Sequence, residues 1–258
     1  MIRVYNNFNN NGFDEVKSLI YDTLKGHKVL VIKQLSKLLS VIEKYKNLSI
    51  LEKYQYFIEN ELSFIGDKRQ YVYDSTIENI TWATIAYDPE KADSYMFSKT
   101  RQPLHTDNSW FSDPAQMNFF YMEKQVKIGG EATFYPLNRL IDDLHSDEPQ
   151  LLDDLKNMEV IISKGEDKYF NKTTIINNDN IFWNYYRTNK SDKKVEQMCD
   201  QFFKFLEKKE LSKSVEIYKM DTDDGFCLND LTILHGRLSY RANKKNDRIL
   251  RQSMWRSV

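Results

Sequence analysis

Cysteine is scarce in this chain. Cys199 and Cys227 are the only two, far apart and without CxxC spacing, which argues against a disulfide scaffold or a structural zinc cluster and leaves reduced thiols as the expectation. An excess of charge is also missing. Thirty-seven Lys and Arg stand against 38 Asp and Glu, a formal net charge of −1, so nothing general attracts the protein to nucleic acid or an anionic membrane, and neither is expected as a partner. No apolar run is long enough to span a bilayer, and the opening "MIRVYNNFNNNGFDEV" lacks the apolar stretch of a signal peptide; a cytoplasmic location is expected. Proline and glycine are few, five and eight, and nowhere gather into a linker. No repeat interrupts the chain, and asparagine near the start is the one biased stretch. A single domain over 1–258 follows, long enough for one substantial core.

What is present is aromatic: 16 Tyr and 15 Phe within 14% aromatic residues. In the N-terminal part, residues 1–78, Asp14 is a plausible N-cap for a helix with Val16, Leu19, Ile20 and Leu24 on one face and Gly26 to end it. "KVLVI" (28–32) reads as a short buried strand. From Ser36 to about Phe64 apolar residues such as Leu38, Leu39, Ile42 and Tyr45 return at helical spacing. From residue 79 the pattern changes to short β-prone runs: "ITWATIAY", "AQMNFFYM", "EATFYPL", "EVIIS", "IFWNYYR", "VEIYKM", "GFCLND", "LTILHG" and "RILRQSMW". Helical stretches intervene at about Leu137–Met158 and around Val195, Met198, Cys199, Phe202, Phe203 and Leu206. Many short strands without regular βα alternation predict a mainly β protein, an antiparallel barrel or sandwich with flanking helices.

Within "PLHTDNSWF" (103–111), His105 and Asp107 stand two apart. At a strand end they project to one face, because the side-chain period is two. Alone, "HTD" is equally well explained by a hydrogen-bonded histidine. Further on, His235 ends the apolar run "LTIL" at another strand terminus. A second imidazole beside the pair would complete a facial set of two histidines and one carboxylate with adjacent positions open, the pattern of non-haem Fe(II) oxygenases. Arg248 follows thirteen residues after His235.

The ordered series "PLHTDNSW … GGEATFYPL … NDLTILHGR … DRILRQSMW" resembles the taurine-dioxygenase-like, or clavaminate-synthase-like, Fe(II)/2-oxoglutarate oxygenases over about residues 80–258. The resemblance implies a double-stranded β-helix (jelly roll) with N-terminal helices packed on it. It implies His105, Asp107 and His235 as the catalytic iron ligands, and Fe(II), 2-oxoglutarate and O2 as cofactor and cosubstrates. Arg248 would pair with the far carboxylate of 2-oxoglutarate, for which a planar, fixed charge is suited. Arg251, three residues on, competes for that role. Strand alternation sends the two to opposite faces and favours Arg248. The motif "GGEAT" places Ala132 where many relatives have a threonine contacting 2-oxoglutarate. Either a bulge brings Thr133 in, or the contact is missing. Gly129 and Gly130 read as turn formers.

The implied reaction yields succinate and CO2 and hydroxylates an unactivated C–H bond of a small molecule, amino-acid-like or a biosynthetic intermediate, free or tethered to a carrier protein. Asp107 fills the position that is small in related halogenases, so halogenation is disfavoured. Desaturation or ring formation would use the same oxidant. A cupin-like zinc or manganese hydrolase or isomerase is the alternative; it would need the three ligands but not Arg248. Asn108, Ser109 and Trp110 follow the ligands and are candidates for the substrate pocket, with core packing the competing role for Trp110. "IFWNYYR" offers Trp183, Tyr185 and Arg187 on alternating faces; Arg187 either binds a substrate carboxylate or is solvated. Arg237 shares a strand face with His235, with a structural ion pair as the alternative, and Tyr240 and Arg241 are similarly placed. His27 and His145 are expected to have no chemical role, and "DTDD" (221–224) reads as a solvated turn.

Overall fold

The computed structural model describes residues 2–7, 12–41, 46–66, 81–164 and 169–257. It begins with β1 (Ile2–Tyr5), α1 (Gly12–Leu24), β2 (Val29–Ile32), α2 (Leu35–Ser40), α3 (Ile50–Tyr56) and β3 (Phe64–Gly66). Next come β4 (Ala83–Ala86), β5 (Gln102–His105), β6 (Met117–Lys124) and β7 (Ala132–Pro136). The helices α4 (Leu137–Asp147) and α5 (Pro149–Asn157) precede the strand pair β8 (Glu159–Lys164) and β9 (Tyr169–Thr174). Short strands β10 (Ile176–Asn177) and β11 (Asn180–Ile181) lead to α6 (Lys193–Glu210). The chain finishes with β12 (Glu216–Tyr218), β13 (Gly225–Asn229), β14 (Ile233–Arg237) and β15 (Ile249–Ser257).

Two sheets carry the fold. The larger runs β1-β2-β13-β6-β15-β3 with β4 also paired to β15, and the smaller runs β12-β7-β14-β5. Numbered from one to eight, the strands β4 to β7 and β12 to β15 take the orders 1-8-3-6 and 2-7-4-5, the interleaved Greek keys of a jelly roll. The mainly β, double-stranded β-helix expectation is met.

The apolar residues of β6, broken only by Asn118 up to Met122, are explained by its two covered faces. Phe120 and Met122 pack between the sheets with Phe134, Phe226 and Leu228. Met117, Phe119 and Tyr121 face outward against Val16 and Ile20 of α1 and Tyr54 of α3. Phe119 is completely buried, a burial that stabilises by about 2–3 kcal/mol. Behind the smaller sheet, Tyr135 and Leu234 pack on Leu140 of α4, Leu155 of α5 and Phe202 of α6. Asp192 caps α6, its side chain accepting from the backbone of Lys194 and Val195, which satisfies two of the helix's orphan donors. Among the described residues no helix is long and apolar enough to cross a membrane.

Several expectations need correction. The N-terminal part is more than helices: β1 and β2 extend the larger sheet, β2 pairing antiparallel with β13. Helix α1 begins at Gly12, so Asp14 lies in its first turn and not at the cap. Among the described residues the helical pattern after Ser36 holds α2 and α3, the latter started by a Ser49–Glu52 capping box and continued by a π-helical turn at Phe57–Glu61. Ile42, Tyr45 and the 78/79 boundary lie outside the described residues. The stretch to Met158 breaks at Glu148, ahead of Pro149, which has no N–H to continue a helix. "IFWNYYR" is a strand only at Ile181; its remainder is a loop turning back on the Asn184 carbonyl, which accepts from Arg187 and Thr188. In "DTDD", Asp221 and Thr222 are exposed as expected of a solvated turn, but Asp224 is fully buried and paired with Lys33 at 2.6 Å.

Candidate active site

Strands β5 and β14 are neighbours in the smaller sheet, and their register sets His105 opposite His235, ring centroids 4.5 Å apart. Asp107 lies just past the end of β5 and turns toward both rings. Its Oδ2 is 3.2 Å from His235 Nε2 and its Oδ1 3.6 Å from His105 Nε2. One donor atom from each residue falls within 4.8 Å of the others. Metal–ligand bonds of about 2.1 Å put adjacent ligand atoms about 3 Å apart, so the three need only small movements to share one cation. Two imidazoles and a carboxylate on one side, with a cavity on the other, fit Fe(II).

Each ligand is oriented by a neighbour, as metal ligands require. His105 Nδ1–H donates to the Pro103 carbonyl at 2.9 Å, which turns the Nε2 lone pair toward the cavity. Gln102 Nε2 donates to that lone pair at 3.1 Å. His235 Nδ1 lies 3.2 Å from Asp230 Oδ1, within ion-pair reach but without hydrogen-bond alignment. Asp107 Oδ2 accepts from Gln252 Nε2 at 2.6 Å and from Asn118 Nδ2 at 3.0 Å. The two amides fix the carboxylate plane from the larger sheet.

Electrostatics prepare the site for a cation. Burial works to raise the Asp107 pKa, but the neighbouring histidines, His235 above all, hold it well below the usual carboxylate range. Burial opposes the charge on His235, yet Asp107 and then Asp230 push its pKa up to about 10. Burial lifts Asp230 to about 6, with His235 pulling the other way. The metal-free site therefore keeps a proton on His235 that a divalent cation must displace.

An inner cavity between the sheets is lined by the three ligands, by Arg237 and Arg248, and by the apolar side chains of Phe120, Met122, Phe134, Phe226 and Leu250. Arg248 immediately precedes β15 and is only 2% exposed. Its Nε and Nη1 have no hydrogen-bond partner among the described residues, and its guanidinium stands 5.4 Å from the Tyr240 ring. Burial, then the like charge of Arg237, pushes its pKa down to about 9. A buried, underbonded cation beside an apolar cavity is a place for a carboxylate. Gly129 and Gly130 both have φ +78°, and a Cβ on Gly129 would meet the Ser239 carbonyl oxygen at 2.2 Å. They form the expected turn, and Gly130 also lines the cavity next to Arg248.

Two proposed cosubstrate residues are elsewhere. Arg251 is turned to the other face of β15, where it bonds Glu123 at 2.6 Å and Thr84. Thr133 is fully buried with Oγ1 donating to Glu210 at 3.3 Å. Pairing of β7 with β14 runs unbroken from Pro136 to Ala132, so no bulge turns Thr133 inward; Ala132 and Phe134 line the cavity instead.

A wider outer cavity of about 580 Å³ shares His105, Asp107, Gln102 and Gln252 with the inner one. Its walls include Asn108, Trp110, Lys164, Tyr185 and Arg187. Asn108 has a left-handed backbone, φ 56°, and its amide donates to Met254 Sδ. Trp110 both packs in the core and faces this cavity. Ser109 is buried and bonded to Thr106, and Trp183 is wholly in the core. Arg237 does not line the outer cavity; its Nη2 donates to the Ser98 and Thr100 carbonyls at 3.0 and 2.7 Å, and among the described residues it makes no ion pair. Tyr240 donates to the Ser98 carbonyl, and Arg241 is exposed. His27 and His145 line neither cavity.

Gln102, Asn118, Asp230 and Gln252 were missed in the sequence. Asn118 carried a signal: it is a polar residue on the inward face of an otherwise apolar strand. Gln252 is four residues after Arg248 and two after Leu250, on the same face.

An open-sided set of two imidazoles and one carboxylate at a jelly-roll cavity, with a buried guanidinium nearby, defines the class of non-haem iron oxygenases. The model of the family "Taurine catabolism dioxygenase TauD, TfdA family" matches residues 5–256. The chain belongs to that family and is a dioxygenase, which removes the hydrolase or isomerase alternative. The match reaches back through the N-terminal part, further than the motifs alone did. No curated protein sequence matches. Among solved structures, asparagine oxygenase (AsnO) superposes with a TM-score of 0.72 at 9% identity, over 96% of this chain and 81% of that one. The non-heme iron oxygenase OrfP, in complex with Fe and alpha-ketoglutaric acid, gives a TM-score of 0.65 at 14% identity, over 95% and 80%. These likenesses are of fold.

Proposed function

We propose that the protein is an Fe(II)- and 2-oxoglutarate-dependent oxygenase that hydroxylates an unactivated C–H bond of a small, amino-acid-like molecule. The observation that carries this reading is one continuous arrangement: His105, Asp107 and His235 converge on a cavity whose lining also includes the underbonded Arg248. The three ligands hold iron, and Arg248 receives the far carboxylate of 2-oxoglutarate. When bound, iron with 2-oxoglutarate and O2 supplies the oxidant, one oxygen atom entering the product alcohol and the other succinate, with release of CO2.

The chain's own residues do the rest. Gln252 and Asn118 hold Asp107 in a fixed plane, and the Pro103 carbonyl fixes the tautomer of His105. Phe120, Phe134, Phe226 and Leu250 keep water from the inner cavity, which strengthens the pairing of Arg248 with its carboxylate. The outer cavity, about 580 Å³, has the size of a small-ligand site and orients the substrate carbon toward the ligands. AsnO in complex with 3-hydroxyasparagine and OrfP in complex with hydroxy-L-Arg share the fold, which supports an amino-acid-like substrate. Purified protein with Fe(II), O2 and labelled 2-oxoglutarate should release labelled succinate, faster when a substrate from an amino-acid panel is present and gains one oxygen. Iron-independent release, or none, refutes the reading.

A further inference from the structure

We propose that Arg237 is a second cosubstrate residue, its guanidinium sharing with Arg248 the far carboxylate of 2-oxoglutarate in the inner cavity. This rests on the oxygenase reading of the site, and it assigns Arg237 to the cosubstrate and not to the substrate.

Backbone register sets the position. Strand β14 pairs with β7 without interruption, His235 opposite Phe134 and Arg237 opposite Ala132. Phe134 and Ala132 both line the inner cavity, so the ligand His235 and Arg237 share the inward face of one strand. Two residues of a strand span about 7 Å, which suits a five-carbon dicarboxylate held at the metal by its other end. Arg248 lines the same cavity from the larger sheet, just ahead of β15. The guanidiniums of Arg237 and Arg248 stand 5.0 and 5.4 Å from the ring of Tyr240, and Tyr240 is itself bridged to Gly129 of the cavity turn. Each sheet therefore contributes one cation to the same end of the cavity.

The hydrogen bonding points the same way. Arg237 is only 4% exposed. Its Nη2 donates to the Ser98 and Thr100 carbonyls, which fixes the side chain and supplies no negative charge. Its Nε is buried without a hydrogen-bond partner among the described residues, as are Nε and Nη1 of Arg248. The carboxylate in the lining of this cavity is Asp107, and that one is committed to the metal. Buried cations with unmade hydrogen bonds are costly, and like charges add to the cost. After burial, the charge of Arg237 is what lowers the pKa of Arg248. One anion between them relieves the repulsion and accepts the idle N–H groups. A carboxylate has about four lone-pair sites, enough to serve both arginines.

The test is an anaerobic titration of the Fe(II)-loaded protein with 2-oxoglutarate, followed by visible absorption and by calorimetry, in the wild type, Arg237→Gln and Arg237→Lys. The comparison ligand is 2-oxopentanoate, which keeps the five carbons, the keto group and the near carboxylate but lacks the far one. Arg237→Gln should weaken 2-oxoglutarate about 10- to 100-fold, the usual worth of hydrogen bonds to a charged group. It should leave the affinity for Fe(II) alone and for 2-oxopentanoate unchanged. Arg237→Lys keeps the charge without the planar fork; it should lose less, and it decides the matter where Arg237→Gln does not fold. Unchanged 2-oxoglutarate affinity in Arg237→Gln, or in Arg237→Lys where that is the variant that folds, overturns the proposal. A fall matched by an equal fall for Fe(II) alone or for 2-oxopentanoate also overturns it and leaves Arg237 a structural tie. Absorption of the loaded wild type reports the oxygenase reading separately. If it never develops, the underlying reading fails; if it develops and Arg237→Gln titrates like the wild type, only this proposal fails.

Discussion

Replacing Arg248 with methionine should move stability and cosubstrate affinity in opposite directions. Arg248 is a buried cation whose Nε and Nη1 go without hydrogen bonds among the described residues. Its pKa of about 9 in place of 12.5 corresponds to a penalty on the order of 5 kcal/mol for keeping it charged without an anion. Methionine keeps most of the stem and removes the charge, and replacing a buried charge by an apolar side chain of similar volume gains about 1–4 kcal/mol in comparable cases. For a chain of this size each kcal/mol is about 2–4 °C in melting temperature. The cosubstrate-free variant should therefore melt several degrees higher than the wild type. With 2-oxoglutarate the order should invert, because loss of one partner of a buried charge pair costs about 2–5 kcal/mol, roughly 30-fold or more in affinity. Thermal melts with and without 2-oxoglutarate, and a 2-oxoglutarate titration of the iron-loaded protein, measure both. A variant that melts lower and binds 2-oxoglutarate as tightly as the wild type would show that Arg248 is a structural cation.

Three further outcomes are expected. Gln252→Leu should weaken Fe(II) binding about 10- to 100-fold, the usual effect of removing a group that orients a metal ligand, while Asn118→Leu should do so less, in keeping with its longer bond to Asp107; equal iron affinity in wild type and Gln252→Leu would remove the amide clamp from the account. For metal-free protein, the His235 pKa is raised from 6.5 to about 10, so its charge stabilises the fold fully below about pH 6.5 and the gain is lost as pH rises through about 10. The melting-temperature advantage of the wild type over His235→Gln should shrink across that window. Over the same window Fe(II) should bind more tightly as pH rises, since a proton no longer competes. Gly129→Ala should lower the melting temperature and loosen 2-oxoglutarate binding together, because its Cβ has to displace the Ser239 carbonyl next to the turn that carries Gly130; unchanged melting would contradict the close approach.

Much of this was legible along the chain because its signals are local. His105 and Asp107 are two apart, and their chemistry survives without any knowledge of the fold. The strands β6, β7, β13, β14 and β15 announced themselves by apolar, aromatic runs, and strand alternation was enough to separate Arg248 from Arg251. The same rule excludes Thr133, whose neighbours Ala132 and Phe134 take the inward face. What was not legible depends on pairing between distant segments. Gln252 and Asn118 reach Asp107 from two strands whose register sets Asn118 beside Met254, and no sequence spacing encodes that. The strand β1 is four residues long and is held by β2 alongside it, so its own composition gave no reason to prefer a strand. Arg187 was sensed from a supposed strand that is a loop, yet it faces the cavity because hydrogen bonds to β8 place it there.

The most direct test of the account is an anaerobic titration of metal-free protein with Fe(II) in excess 2-oxoglutarate, followed by the visible charge-transfer absorption of the bound pair. The wild type should saturate at one iron per chain, and His105→Ala, Asp107→Ala and His235→Ala should each lose the signal. Absorption that never develops, or that persists unchanged in His235→Ala, would contradict it.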